Sequence, residues 1–236
     1  METNQLTSRN IAVLKIIVEE YLKTWKVLWS KLLLEKYDLQ VSSATIRNDM
    51  VKLEKLELIF QPYNSAWRLP STKGLRAFVD YLMQQKPDFF ITNSDDSIKN
   101  TSTNLKDFAD SIHKITYELS NITKEISFII IPENSIMQYN WVSNFLEKND
   151  KILWKNSLNI VKILEEKFNF IHFISSLKIK NSVNVFIWEE NISSFFKDYT
   201  IILKPIVIEW KSWYIGIIGS LKMDYSFNIS AIRWII

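Results

Sequence analysis

The stretch "SSATIRNDM", Ser42 to Met50, gathers side chains suited to reading a surface by hydrogen bonds. Ser43, Thr45, Arg47 and Asn48 combine hydroxyl, guanidinium and amide groups. Arginine offers a two-pronged donor and asparagine a paired donor and acceptor, the chemistry that recognises nucleic-acid base edges. On a helix capped by Ser42, the residues Ile46, Met50, Leu53 and Leu56 fall on one apolar stripe, and Ser43, Arg47, Asn48 and Lys52 lie opposite. The same spacing equally describes an amphipathic helix with a solvated polar face, on which Arg47 forms a surface ion pair of little worth. The pattern by itself leaves both readings open.

Such a helix needs elements to hold it. Upstream, Ile11, Leu14, Val18 and Tyr21 recur at helical spacing and predict a first helix capped by Thr7 or Ser8. A second, short helix is expected from about Ser30 through "KLLLEKY" to Asp38. Downstream, "LIFQPY" and "AWRLP" read as extended runs around a turn of Asn, Ser and Pro, and another helix runs from Ser71 through "TKGLRAFVDYLMQQ". Helix, helix, turn, helix, hairpin is the order of a winged helix-turn-helix, which predicts a DNA-binding domain over residues 1–85. In that fold the polar-edged helix enters the major groove, so Ser43, Thr45, Arg47 and Asn48 meet base edges, with Arg47 suited to guanine, and the cap Ser42 joins them as a DNA-binding residue. Lys31 and Lys52 fall to the phosphate backbone, Arg68 on the hairpin to phosphates or the minor groove, and Ser65 beside it counts as a further DNA-binding residue.

Residues 86–104, rich in Ser, Thr, Asn and Asp, predict a linker. Beyond it, Phe108, Ile112, Ile115 and Leu119 mark a helix over 105–122, and "ISFIIIP" reads as a core strand. A helix is expected over 152–168, then strands at "FIHFISS", "SVNVFIW", "YTIILKPIVIEW" and "WYIGIIGS", the last two turning at "EWKSW". A final helix opens near "DYSFNISAIRWII", capped by Asp224 or Ser226. Helices beside an antiparallel sheet make residues 105–236 an α+β domain.

Composition removes several function classes. Hydrophobic residues make up 47% of the chain and charged residues 23%, a globular rather than a disordered balance. There is no cysteine, which excludes disulfides and thiolate zinc sites and agrees with a reducing cytoplasm. No apolar run approaches the ~20 residues of a membrane span, and the N-terminus lacks a signal-peptide pattern. The net charge of +3 is a mild basic excess, so a nucleic-acid reading rests on where the charges lie. Gly74, Gly216 and Gly219 cannot build a phosphate-binding glycine loop. His113 and His172 stand far apart without metal-ligand spacing, and His172 reads as a packed or edge residue of a strand. Asp224 and Tyr225 in "KMDY" read as turn and cap, and no serine sits in a nucleophile elbow. Neither an enzyme nor a cofactor is expected.

The order of these motifs carries a resemblance. "VSSATIRNDM", then "NSAWRLPSTKG" with its Lys73-Gly74 pair, resembles the N-terminal domain of the heat-inducible transcription repressor family HrcA. "YIGIIGSLKMDY", Tyr214 to Tyr225, is similar to that family's closing signature, while the middle of the chain matches faintly. The resemblance implies a GAF-like second domain which, with an inserted segment, serves dimerisation; members are longer, and the shortfall here lies in the middle. It also implies a repressor that binds an inverted-repeat operator of chaperone genes as a homodimer and regains activity through the chaperonin GroEL. Another class, a winged-helix regulator whose GAF-like domain senses a small molecule, calls for a buried polar pocket, and the strand interiors read as mostly apolar. A third is a chain that dimerises without binding DNA.

Nine tryptophans against three glycines invert the usual balance. Set beside the resembled family, Trp25, Trp29, Trp67, Trp188, Trp210 and Trp213 stand where the family has glycine, and so does Trp141 in a less secure alignment. Trp154 and Trp234 are not placed by it. Tryptophan and glycine are opposites in volume and backbone freedom. The expectation is that the source reads UGA codons as glycine, which turns "NSAWRLP" into an ordinary turn; the other reading is genuine tryptophan in a diverged chain.

Overall fold

Capping decides where the N-terminal helices begin. The Thr7 hydroxyl accepts the Asn10 backbone N–H at 3.2 Å, and the Asn10 amide oxygen accepts the Thr7 N–H at 3.1 Å. This reciprocal pair makes Thr7, not Ser8, the cap of α1 (Ser8–Thr24). Ser42 caps α2 (Ser43–Lys55) by accepting from the Thr45 N–H at 3.2 Å. Ser71 caps α3 (Thr72–Gln84) by accepting from the Gly74 N–H at 3.0 Å. Between α2 and α3, β1 (Ile59–Phe60) and β2 (Leu69–Pro70) pair antiparallel, a shorter ribbon than the extended runs suggest.

The structure, a computed structural model, describes residues 6–24, 41–63, 68–85, 105–143, 154–191, 196, 198–208 and 210–235. The expected helix from Ser30 to Asp38, the hairpin tip with Ser65 and Trp67, and the stretch 86–104 lie outside the described residues. The chain divides into two compact units, Met1–Gln85 and Lys86–Ile236.

In the first unit, α1 packs on α2, α3 and β2. Val13, Leu14, Ile17 and Val18 of α1 are buried, as are Ile46, Met50 and Leu53 of α2 and Phe78 and Val79 of α3. The buried face of α1 is wider than the stripe read from sequence, since Ile16 and Ile17 are also inside while Ile11 and Tyr21 are half-buried. On α2 the stripe holds except at Leu56, which is half-buried.

The second unit is built on an antiparallel sheet of five strands in the order β4-β3-β7-β6-β5. These are β3 (Ile126–Ile131), β4 (Ile136–Asn140), β5 (Asn184–Ile187), β6 (Tyr199–Ile208) and β7 (Lys211–Ser220). Side chains alternate between faces along each strand. Phe128, Ile201, Leu203 and Ile218 turn to one face and share a core with Ile160 and Leu164 of α5 (Trp154–Glu165) and Phe170 and Ile174 of α6 (Lys167–Ser176). The other face carries α4 (Leu105–Thr123) and α7 (Tyr225–Trp234). There the Ser127 hydroxyl donates to the Thr116 carbonyl, and the Thr200 and Tyr225 hydroxyls bond at 2.8 Å. Helices on both faces explain why β3 is buried at every position instead of alternating. This is the α+β architecture expected of the region.

Several segments depart from the sequence reading. "FIHFISS" folds as α6 rather than a strand, burying Phe170, Ile171 and Ile174 and leaving His172 exposed instead of packed. A short apolar run does not distinguish a buried helix from a strand. The single helix over 152–168 becomes α5 and α6, separated at Glu166. β4 had no counterpart in the reading, because its half-buried residues at the sheet edge lack apolar alternation. In "EWKSW" the strands already pair at Ile208 and Lys211, so β7 begins at Lys211. Trp213 is therefore a strand residue, buried opposite Ile206. Asp224, not Ser226, caps α7, accepting from the Phe227 N–H at 3.0 Å.

Candidate nucleic-acid interface

The apolar stripe that fixes α2 also fixes what it shows to solvent. Ser42, Ser43, Arg47 and Asn48 are exposed, and Thr45 and Lys52 are half-buried. Six of the sequence-derived candidates thus lie along one end and edge of a single helix. Ser42 serves first as cap: besides the Thr45 N–H, its hydroxyl meets the Thr45 hydroxyl at 2.9 Å. Both groups are thereby oriented at the helix N-terminus, where partial positive charge favours an anion.

Asp49, which sequence reasoning passed over, anchors the helix from behind. It is 5% exposed and accepts from Arg9 Nε at 2.6 Å, Arg9 Nη2 at 3.2 Å and Asn10 Nδ2 at 2.8 Å. A buried carboxylate needs such donors, because desolvation penalises an unpaired charge. The hydrogen bond first, and the carboxylate's charge second, raise the Arg9 guanidinium above its ordinary range, against a smaller opposing effect of burial. No local signal links Arg9 to Asp49, since the bond spans α1 to α2.

Arg68 stands beside β2 and is drawn to the same helix. Its Nε lies 3.4 Å from Glu54 Oε2, close enough for an ion pair, yet this buried nitrogen makes no hydrogen bond. Lys31 and Ser65 fall outside the described residues. Among the described residues no group of three or more His, Cys, Asp or Glu side chains is placed to hold a metal, and no helix is long and apolar enough to cross a membrane.

In the second unit, buried polar groups mostly satisfy one another. Asn140 Nδ2 donates to the Thr116 hydroxyl at 3.1 Å, and Asn191 Nδ2 donates to the carbonyls of Phe196 and Tyr199. Lys204, its ammonium pKa lowered by burial, donates to the Arg233 and Ile235 carbonyls at the end of α7. Asn191 Oδ1 has no hydrogen-bond partner, and Asn228 goes further: it is buried, and neither of its side-chain polar atoms has one.

A helical unit that presents a polar helix edge, followed by a unit of antiparallel sheet between helices, defines a two-part α+β protein. The profile described as "HrcA protein C terminal domain" matches residues 75–229. The chain belongs to the HrcA family.

Its relatives include the heat-inducible transcription repressor HrcA of Alkaliphilus metalliredigens, 39% identical over 123 residues, which are 50% of this chain and 35% of that protein. The HrcA repressor of Thermobifida fusca is 52% identical over 86 residues, 36% of this chain and 25% of that protein. That of Acetivibrio thermocellus is 35% identical over 136 residues, 56% of this chain and 38% of that protein. The chain therefore matches between 25% and 38% of these relatives' own length. The solved structure of a hypothetical protein at 2.2 Å resolution aligns with a TM-score of 0.73 and 18% identity, covering 98% of this chain and 96% of that one. That likeness concerns the fold.

Proposed function

We propose that residues 1–85 form a winged helix-turn-helix and residues 105–236 a GAF-like domain with a reduced insertion, and that the chain is a sequence-specific DNA-binding repressor of chaperone genes in the cytoplasm. It acts as a homodimer on an inverted-repeat operator, because two-fold protein symmetry mirrors a two-fold site. The observation that carries this reading is the exposed edge of Ser43, Arg47 and Asn48 on a helix held rigid from behind. The relatives' description as heat-inducible transcription repressors supports it. The chaperonin GroEL is the second partner the family likeness suggests. A repressor of modest stability suits that relation, since ~1–2 kcal/mol changes the active population several-fold.

The test is a gel-shift titration of the full chain on an inverted repeat from a chaperone promoter. Arg47→Ala is expected to weaken operator binding by ~1–3 kcal/mol and to relax preference at one base pair. Unchanged affinity for that variant rejects α2 as the reading helix. Lys52→Ala is expected to weaken operator and random duplexes alike and to reduce the slope of log affinity against log salt by about 1.

A ligand-responsive regulator is a second reading, and the unsatisfied Asn228 amide favours it. A shift in the Asn228 amide resonances when cell-derived small metabolites are added, together with a change in operator affinity, supports that reading; silence in both rejects it.

A further inference from the structure

Two carboxylates on α2 each engage an arginine from another element. Asp49 holds Arg9 of α1, and Glu54 meets Arg68 beside β2. At 3.6 residues per turn, Asp49 borders the side of α2 that carries Thr45 and Lys52, whereas Glu54 borders the side that carries Ser43 and Arg47. The exposed row of Arg47 and Asn48 therefore runs between two arginines, one beyond each edge. A helix in a major groove has a sugar-phosphate strand along each of its sides.

We propose that Arg9 is a phosphate-contacting residue on the rim opposite Arg68, aimed by Asp49 and Asn10 as positioning residues. This rests on α2 entering the groove. The carboxylate fixes two of the guanidinium's three nitrogens, at 2.6 and 3.2 Å, while 48% of the side chain remains exposed. An arginine oriented in this way reaches an anion with little loss of rotamer freedom. Asn10 also bonds Asp49 at 2.8 Å, so Arg9 is not the carboxylate's only donor.

The experiment is a salt titration of duplex affinity with the full chain, corrected for folded fraction by circular dichroism. Arg9→Ala is expected to weaken operator and random duplexes equally and to lower the salt slope by about 1. Arg9→Lys keeps the charge and most of the slope. Asp49→Asn leaves the slope in place but reduces affinity, because the guanidinium loses its aim. If Arg9→Ala does not fold, Arg9→Gln retains an amide donor for Asp49 and carries the same readout. A wild-type slope in the uncharged variants overturns the assignment of Arg9 while leaving the DNA-binding reading intact. A wild-type chain that binds no duplex overturns both.

A separate observation carries a second inference. Among the described residues six other than glycine adopt a positive φ, and three of them are tryptophans: Trp141 at 78°, Trp188 at 57° and Trp210 at 65°. No glycine does so. Trp accounts for nine of 236 residues, so half of the left-handed positions is far beyond its share. In this region Cβ crowds the carbonyl oxygen, and glycine alone is exempt. We infer that glycine is the native residue at 141, 188 and 210, inserted at UGA codons by the cell that makes the protein. The test is the gene's codon at each position together with peptide masses of protein isolated from its source. UGA codons with glycine-mass peptides are expected; UGG codons, or tryptophan-mass peptides, overturn the inference.

Discussion

Alanine at Gly74 is expected to destabilise the first unit by about 3 kcal/mol or more, at the upper end of what overpacking does. The reason lies in what the added methyl meets. A Cβ at Gly74 stands 1.8 Å from the Leu58 carbonyl oxygen and 2.8 Å from its carbon, both main-chain atoms that no rotamer change can move. The same carbonyl accepts the Ser71 N–H at 3.1 Å, and the Ser71 hydroxyl donates to the Glu57 carbonyl, so the clash breaks the cap of α3 where it rests on the ribbon. Leu58 in turn donates its N–H to the Leu53 carbonyl at the end of α2. Displacing it therefore tilts the candidate DNA-reading helix, and duplex affinity is expected to fall with stability.

Gly219 provides the contrast. There the nearest atoms are the Met223 methyl at 2.3 Å and the Glu125 carboxylate at 2.7 Å, both side-chain ends, so alanine costs less. Urea unfolding of the full chain, followed by circular dichroism, compares the two variants. An unchanged midpoint for Gly74→Ala contradicts the close approach of α3 to Leu58.

How much was legible in the sequence follows from where each signal lives. The cap Ser42 and the buried row Ile46, Met50 and Leu53 are readable, because a capping hydroxyl and a 3.6-residue period are local facts. The exposed edge of α2 followed from the same period. Asp49 was not readable: its partners come from another helix, and on paper it is one more acid on a helix flank. Arg68 was picked out for its charge, but its attachment to Glu54 depends on how the ribbon lies against α2. α6 reads as a strand because the apolar density of "FIHFI" is that of a buried strand and the polar residue within that run, His172, fits both periods. β4 was missed since an edge strand that is half-buried on both sides shows no period at all.

Glycine at Trp141, Trp188 and Trp210 together is expected to raise stability by about 2 kcal/mol, because each indole leaves a left-handed backbone that disfavours any side chain by ~1–2 kcal/mol. For the second unit that corresponds to a rise in Tm of about 4–8 °C. The three positions are not equal. Trp210 lies in the two-residue link between β6 and β7, where tight hairpins call for positive φ, and it is 98% exposed, so its removal gives up no burial. It should supply most of the gain. Trp188 opens a 3₁₀ turn after β5 and is 38% exposed, so part of its relief is offset by lost contact. At Trp141 the Lys124 ammonium lies 5.1 Å from the ring centre, a contact worth ~0.5–1 kcal/mol that glycine forfeits. The expected order of benefit is therefore 210, then 188, then 141, measured by thermal melting of the three single variants. A Trp210→Gly variant that melts below the tryptophan form contradicts the strain argument at the position where nothing else can account for the loss.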